Sequence, residues 1–118
     1  MRPRAKFWLE TDEGEYLMGP RTLRLLEAVQ QTGSLKAAAR EAGFSYRSAW
    51  SRVRRVEAAL GFKLIESHSG GEGGGSSRLT PEAAEFLMQY QQFIKLSLLK
   101  VEEVFITVFQ GTKYTQYK

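Results

Sequence analysis

The chain has 118 residues, 42% of them hydrophobic and 25% charged, the make-up of a single globular domain with one core. It carries no cysteine, which excludes a disulfide framework, a thiolate zinc site and a cysteine nucleophile. Lysine and arginine number 17 against 13 acidic residues, a net charge of +4, and the most apolar run, Phe93 to Phe109, is broken by Lys95, Lys100, Glu102 and Glu103, so no membrane span is expected.

The start, Met1 to Lys6, is basic, but no apolar run of signal-peptide length follows it, and a cytoplasmic protein is expected. Lys6–Glu10 and Tyr16–Met18 flank Thr11–Glu15, whose turn chemistry and Gly14 predict a short hairpin. Pro20 suits the first turn of a helix, and Leu23, Leu25, Leu26, Ala28 and Val29 give that helix an apolar face up to Gly33. Ser34 is placed to cap a second helix carrying Leu35, Ala38, Ala39 and Ala42, ended by Gly43. Ser45 is placed to cap a third, running to about Leu60 and closed by Gly61.

Beyond Gly61 the period changes. Phe62–Glu66 alternates and predicts a strand, and Arg78–Leu79 predicts a short returning strand. Between them lies a glycine-serine loop, Ser69–Ser77. It lacks the Gly-Lys-Ser/Thr ending of a nucleotide-phosphate loop, but its bare backbone suits a wing laid along DNA. Thr80 and Pro81 open a last helix, with Glu82 in its first turn, that can continue to about Phe109 before Gly111. The expected fold is mainly α with a small β component. It is one winged helix-turn-helix domain over 1–118, made of an N-terminal hairpin (1–19), a three-helix core (20–61), a wing (62–80) and a dimerisation helix (81–110).

The short helices joined by Gly43-Phe44 have the form of a helix-turn-helix. At 100° per residue the third helix places Ala49, Val53, Val56 and Leu60 on one stripe, which must face the core. The opposite side shows Arg47, Ser51 and Arg54, with Ser48 and Arg55 beside them. Arginine matches guanine edges or phosphate oxygens bidentately, and serine hydroxyls serve either role. In such motifs the N-terminal part of the recognition helix enters the major groove. Tyr46, Arg47, Ser48 and Ser51 are therefore expected to face bases, and Arg54 and Arg55 to hold the phosphate backbone. Lys36, Ser45, the wing glycines Gly73 and Gly74, and Arg78 at the base of the wing complete the expected DNA-binding set.

Charge distribution points the same way. From Ser34 to Lys63 the basic residues are Lys36, Arg40, Arg47, Arg52, Arg54, Arg55 and Lys63, against only Glu41 and Glu57. A basic segment inside a folded region is the footprint expected of phosphate binding. Trp50 is expected as a packing anchor against the first helix. His68, the only histidine, has no second histidine or cysteine to join it, so no metal site is expected.

In the last helix Leu87, Tyr90, Ile94, Leu98, Val101, Phe105 and Val108 fall at three- and four-residue steps, yet Phe86, Phe93, Leu96, Leu99, Val104, Ile106 and Phe109 lie outside that stripe. A helix apolar over more than one face needs a second surface to cover it, and a two-fold homodimer supplies one. Phe86, Tyr90, Phe93, Ile94, Leu98, Val101, Phe105 and Val108 are the expected interface.

The runs Gly33–Gly43, Ser45-Tyr-Arg-Ser-Ala-Trp50 and Gly70–Gly75 followed by Leu79-Thr80 resemble the N-terminal domain of the ModE-type molybdate-responsive transcription regulators, itself similar to the DNA-binding part of LysR-type regulators. The resemblance covers the chain from about Pro20 to the last helix. It implies a winged-helix dimer, held by the long helix, that recognises operator DNA. In that family molybdate is bound by a separate C-terminal β-rich region; these 118 residues hold no counterpart to it, and no small-molecule effector or cofactor is expected within them. With no recognisable nucleophile–base arrangement, an enzyme is not expected. The competing expectation is a winged-helix module that binds protein rather than DNA.

Overall fold

The computed structural model describes residues 1–68 and 75–114. It contains a hairpin of β1 (Leu9–Glu10) and β2 (Tyr16–Met18), three helices α1 (Pro20–Thr32), α2 (Leu35–Ala42) and α3 (Tyr46–Leu60), a second hairpin of β3 (Ile65–His68) and β4 (Ser76–Leu79), and the long helix α4 (Pro81–Phe109). Both hairpins are antiparallel and two-stranded. The fold is the winged helix-turn-helix expected from the sequence.

Each helix begins and ends on the expected chemistry. The hydroxyl oxygens of Ser34, Ser45 and Thr80 accept the backbone N–H groups of Ala37, Ser48 and Ala83, satisfying donors that a helix start leaves free. Gly43 closes α2 in the left-handed region (φ 80°), where a side chain would be strained. Helix α1 lacks a side-chain cap and starts instead on Gly19 and Pro20. Gly19 has a steric reason to be bare, since a Cβ there would overlap the Tyr16 ring and its hydroxyl.

The core gathers Leu25, Leu26, Ala28 and Val29 of α1, Leu35, Ala38, Ala39 and Ala42 of α2, Ala49, Val53 and Val56 of α3, Leu64 and Ile65, and Ala83, Leu87 and Tyr90 of α4. Each buried valine or leucine removes enough apolar surface from water to stabilise the fold by about 1.5–3 kcal/mol. Leu60, expected on the buried stripe of α3, is only partly buried at the edge of this core.

The first strand of the wing starts later than its alternation predicts, at Ile65 rather than Phe62. The reason is local. The Leu64 N–H donates to the Glu57 carboxylate (2.8 Å), and the Lys63 and Leu64 carbonyls accept from the hydroxyl and N–H of Thr80 (2.6 and 2.9 Å). With these groups spent, Leu64 is buried in the core while Lys63 stays exposed, and the ladder begins one residue on. The returning strand is longer than expected, because Ser76 and Ser77 pair with His68 and Ser67. The Ser77 N–H donates to the Gly33 carbonyl (2.8 Å), fastening the wing to the turn between α1 and α2. Gly73 and Gly74 lie outside the described residues.

Two threonines make opposite use of the same side chain. Thr80 is buried with its hydroxyl both donating to Lys63 and accepting from Ala83, whereas the buried Thr22 hydroxyl is without a partner among the described residues. Thr80→Val should therefore lower the unfolding free energy by about 1–3 kcal/mol. Thr22→Val should leave it unchanged or raise it by up to about 1 kcal/mol. Urea denaturation of the two variants beside the wild type checks both signs.

Candidate nucleic-acid interface

The joint between α2 and α3 sets the attitude of the third helix. Gly43 turns the chain, and the Phe44 N–H donates back to the Ala39 carbonyl (2.8 Å) while the Phe44 ring drops into the core. The Arg21 guanidinium from α1 lies over that ring, 4.3 Å from its centre, and donates to the Gly43 carbonyl at 3.2 Å. Ser45 then starts α3, its hydroxyl accepting from the Ser48 N–H (3.0 Å) and donating to the Ser48 hydroxyl (2.8 Å).

From there α3 divides as its periodicity requires. Ala49, Val53 and Val56 are buried, while Tyr46, Arg47, Ser48, Ser51, Arg54 and Arg55 are all exposed. The residues expected to face bases and phosphates are thus all exposed on the sides of α3 turned away from the core, and Lys36 is exposed on α2. Trp50 is half-buried against the core. Its outer side is flanked by the Tyr46 ring, edge-on at 6.4 Å, and by the Arg54 guanidinium at 5.4 Å from the ring centre. These contacts hold two long side chains in defined places on one flank of the helix.

At the wing, Arg78 is exposed but already engaged, its Nε 3.1 Å from the Glu66 carboxylate across the β3–β4 ladder. A surface ion pair of this kind is worth about 0–1 kcal/mol, so the guanidinium can exchange it for a phosphate at small cost. His68 is exposed at the end of β3. Among the described residues no group of His, Cys, Asp or Glu is arranged to hold a metal ion.

Two arginines near this surface were not singled out by the sequence. Arg21 belongs to α1, and its approach to Gly43 depends on how α1 crosses the turn. Arg52 sits beside Ser51, on the flank of α3 that faces the β1–β2 hairpin, with its guanidinium 4.7 Å from the Tyr16 ring centre. Only the placement of the N-terminal hairpin reveals that contact.

Helix α4 is 29 residues long, about 43 Å, yet its buried residues are Ala83, Leu87 and Tyr90, all in its first half. The rest runs out from the core and gives the molecule its extents of 65 × 31 × 24 Å. Of the expected interface residues, Phe93 (43% exposed), Leu98 (40%) and Val108 (62%) are open, as are Met88, Leu96, Leu99 and Val104 outside that set. Val101 and Phe105 are partly covered, and Phe105 stacks on Phe109 at 4.9 Å.

Three members of the set lie against the protomer's own core. Tyr90 is 3% exposed within the protomer and donates its hydroxyl to the Phe7 carbonyl (3.0 Å), so it is core and not a free face. Burial, with a smaller contribution from Tyr16, raises its phenol above the usual value of 10.0 and keeps it a neutral donor. Phe86 and Ile94 pack partly against the same core. The N-terminal segment reaches further along α4, where Phe7 also sets its ring against Phe93 (6.1 Å, edge-on) and residues 2–5 line a groove with Leu98 and Val101.

Among the described residues, no helix is long and apolar enough to cross a membrane. Residues 20–84, more than half of the chain, match the family described as bacterial regulatory helix-turn-helix protein, lysR family. Curated relatives include the molybdenum transport protein ModE of Herbaspirillum seropedicae (41% identity, covering 66% of this chain and 29% of that protein) and the transcriptional regulator ModE of Haemophilus influenzae (38%, covering 60% and 28%). The DNA-binding transcriptional dual regulator ModE of Escherichia coli K12 is 34% identical over 60% of this chain and 27% of its own. The chain thus spans less than a third of the length of these relatives. Among solved structures, the CbnR DNA-binding domain in its DNA complex shares the fold with a TM-score of 0.56 and 24% identity, over 75% of this chain and 95% of that one. DarR of Vibrio fischeri, in complex with DNA, aligns with a TM-score of 0.56 and 14% identity over 77% of this chain and 30% of that one. The α2–α3 joint, the hairpin wing and the matched residues together make this chain a member of the LysR family of bacterial regulatory helix-turn-helix proteins.

Proposed function

We propose that the chain is a cytoplasmic transcription regulator that binds double-stranded DNA sequence-specifically, as a homodimer, with α3 in the major groove. The observation that carries this reading is the division of α3: one side sealed into the core, the other offering Arg47, Arg54 and Arg55 with the hydroxyls of Ser48 and Ser51 to solvent. Family membership and the relatives named as DNA-binding regulators support it. Arg47, near the N-terminus of the helix, reads a base edge; Arg54, steadied on Trp50, and Arg55 hold phosphates. Lys36 and Arg78 contribute further backbone contacts.

The uncovered half of α4 supplies the dimer. Leu98, Val101, Phe105 and Val108, with Phe93 at the near end, form an apolar surface on a helix that projects beyond its own core. A second copy related by a two-fold axis covers that surface and presents a second α3 about one helical turn of DNA, roughly 34 Å, along a palindromic site. The matched segment is under a third of the ModE proteins, so their molybdenum-related names are not carried over to this chain.

Selection of bound sequences from a random duplex pool tests the reading, with a palindrome as the expected product. No enrichment, together with binding that varies little with salt, would favour a protein-binding module. Against the selected duplex, Arg47→Ala should cost about 1–3 kcal/mol and relax preference at one base position. Arg54→Ala should weaken binding to all duplexes alike and make the plot of log affinity against log salt shallower by about one phosphate's worth. Sedimentation should give a dimer at micromolar concentration, and Leu98→Glu should shift it towards monomer; a wild-type monomer would remove the two-fold part of the proposal and leave DNA binding standing.

A further inference from the structure

The flank of α3 opposite Trp50 carries a second basic surface, built in part by a segment outside the family match. Tyr16, at the start of β2, lies against the bare backbone of Gly19, where a Cβ would collide with the ring. Its ring face receives the Arg52 guanidinium at 4.7 Å, and the Phe44 ring stands 6.0 Å from the same guanidinium. Arg21 covers the other part of Phe44 at 4.3 Å. Two adjoining clefts result, of about 260 and 380 Å³. Arg21, Arg52 and Arg55 line both, the serines of α3 line the first and Lys6 the second, and no carboxylate lines either.

Like charges gathered this closely repel, and among the described residues no acidic side chain pairs with any of these four. The aromatic rings offset part of that cost by taking the guanidinium faces. Contact with the rings uses none of the guanidinium N–H groups as donors to protein, and Arg52 donates none of them elsewhere among the described residues. A planar fork of donors held by stacking is suited to phosphate oxygens.

Position supplies the ligand's source. A helix with its side chains is about 10–12 Å across and the major groove about 12 Å wide, so the flanks of an inserted helix face the sugar-phosphate walls. Arg52 follows Ser51 and therefore lies about 100° round from it, on such a flank. We propose that this cleft grips backbone phosphates of one DNA strand. Arg52 and Arg21 make direct contacts, Lys6 extends the track, and Tyr16 acts as a positioning residue. The inference rests on α3 entering the major groove.

Fluorescence anisotropy with a selected duplex and a scrambled one, each over a salt series, tests it. Arg52→Gln should weaken both duplexes alike, by about tenfold at low salt. Its log–log salt slope should be shallower by about one, so that affinity changes about threefold less than wild type between 50 and 200 mM salt. Lys6→Gln, at an exposed position free of core packing, should shallow the slope in the same direction. Tyr16→Leu should shallow it although no charge is removed, and Tyr16→Phe should restore it, a pattern that loss of stability alone would not give. Unchanged slopes in Arg52→Gln and Lys6→Gln, with wild-type binding intact, would overturn the phosphate cleft while leaving the α3 reading in place. A loss confined to the selected duplex would overturn the assignment to phosphate. Wild-type protein that binds neither duplex would overturn the reading of α3 and this cleft with it.

Discussion

The two-residue joint at Gly43 and Phe44 governs nearly everything on the DNA-facing side of the molecule. A left-handed residue lets α2 stop at once, and the ring that follows enters the core rather than solvent. The direction of α3 is then fixed by a buried aromatic at one end and by the Glu57–Leu64 hydrogen bond at the other. Arginine side chains are long and lose rotamer entropy when they bind, so a helix that wandered would place them poorly. The small side chains of Ala38, Ala39 and Ala42 permit the close approach of α2 that this joint needs. Everything outward of α3, from Arg47 to Arg55, takes its position from that seal.

Much of this was legible in the sequence because it is local. Caps at Ser34, Ser45 and Thr80, terminators at Gly33, Gly43 and Gly61, and the 3.6-residue stripe of α3 each depend on residues a few positions apart. What escaped depends on contacts between distant parts of the chain. The late start of β3 follows from side chains of Glu57 and Thr80 claiming backbone groups that alternation assigns to a strand. Tyr90 falls on the apolar period of α4 like its neighbours, and the bond of its hydroxyl to the Phe7 carbonyl, 83 residues earlier, could not be read from that period. Arg52 shows the same limit, since nothing in its own helix indicates that Tyr16 will lie beneath it.

The N-terminal segment emerges as a structural part in its own right. It covers the first half of α4 through Phe7, Phe93 and Tyr90, and it braces the flank of α3 through Tyr16. One segment therefore touches both the surface proposed to join two protomers and the surface proposed to meet DNA. On α4 a partner copy has left to cover the exposed apolar side chains from Phe93 to Val108, with residues 2–5 beside Leu98 and Val101 at its edge. The two surfaces stay separate in space, because α4 carries its apolar half away from the core along the 65 Å axis.

The central claim is that the outward face of α3 meets the duplex. Amide chemical-shift mapping of the protein, titrated with its selected duplex and a scrambled control, addresses that claim residue by residue. The account predicts the largest shifts along Tyr46–Arg55, with smaller ones at Lys36 and along β3 and β4, and little change in α4 from Leu98 onward. Shifts concentrated on α4, with α3 unmoved, would contradict it.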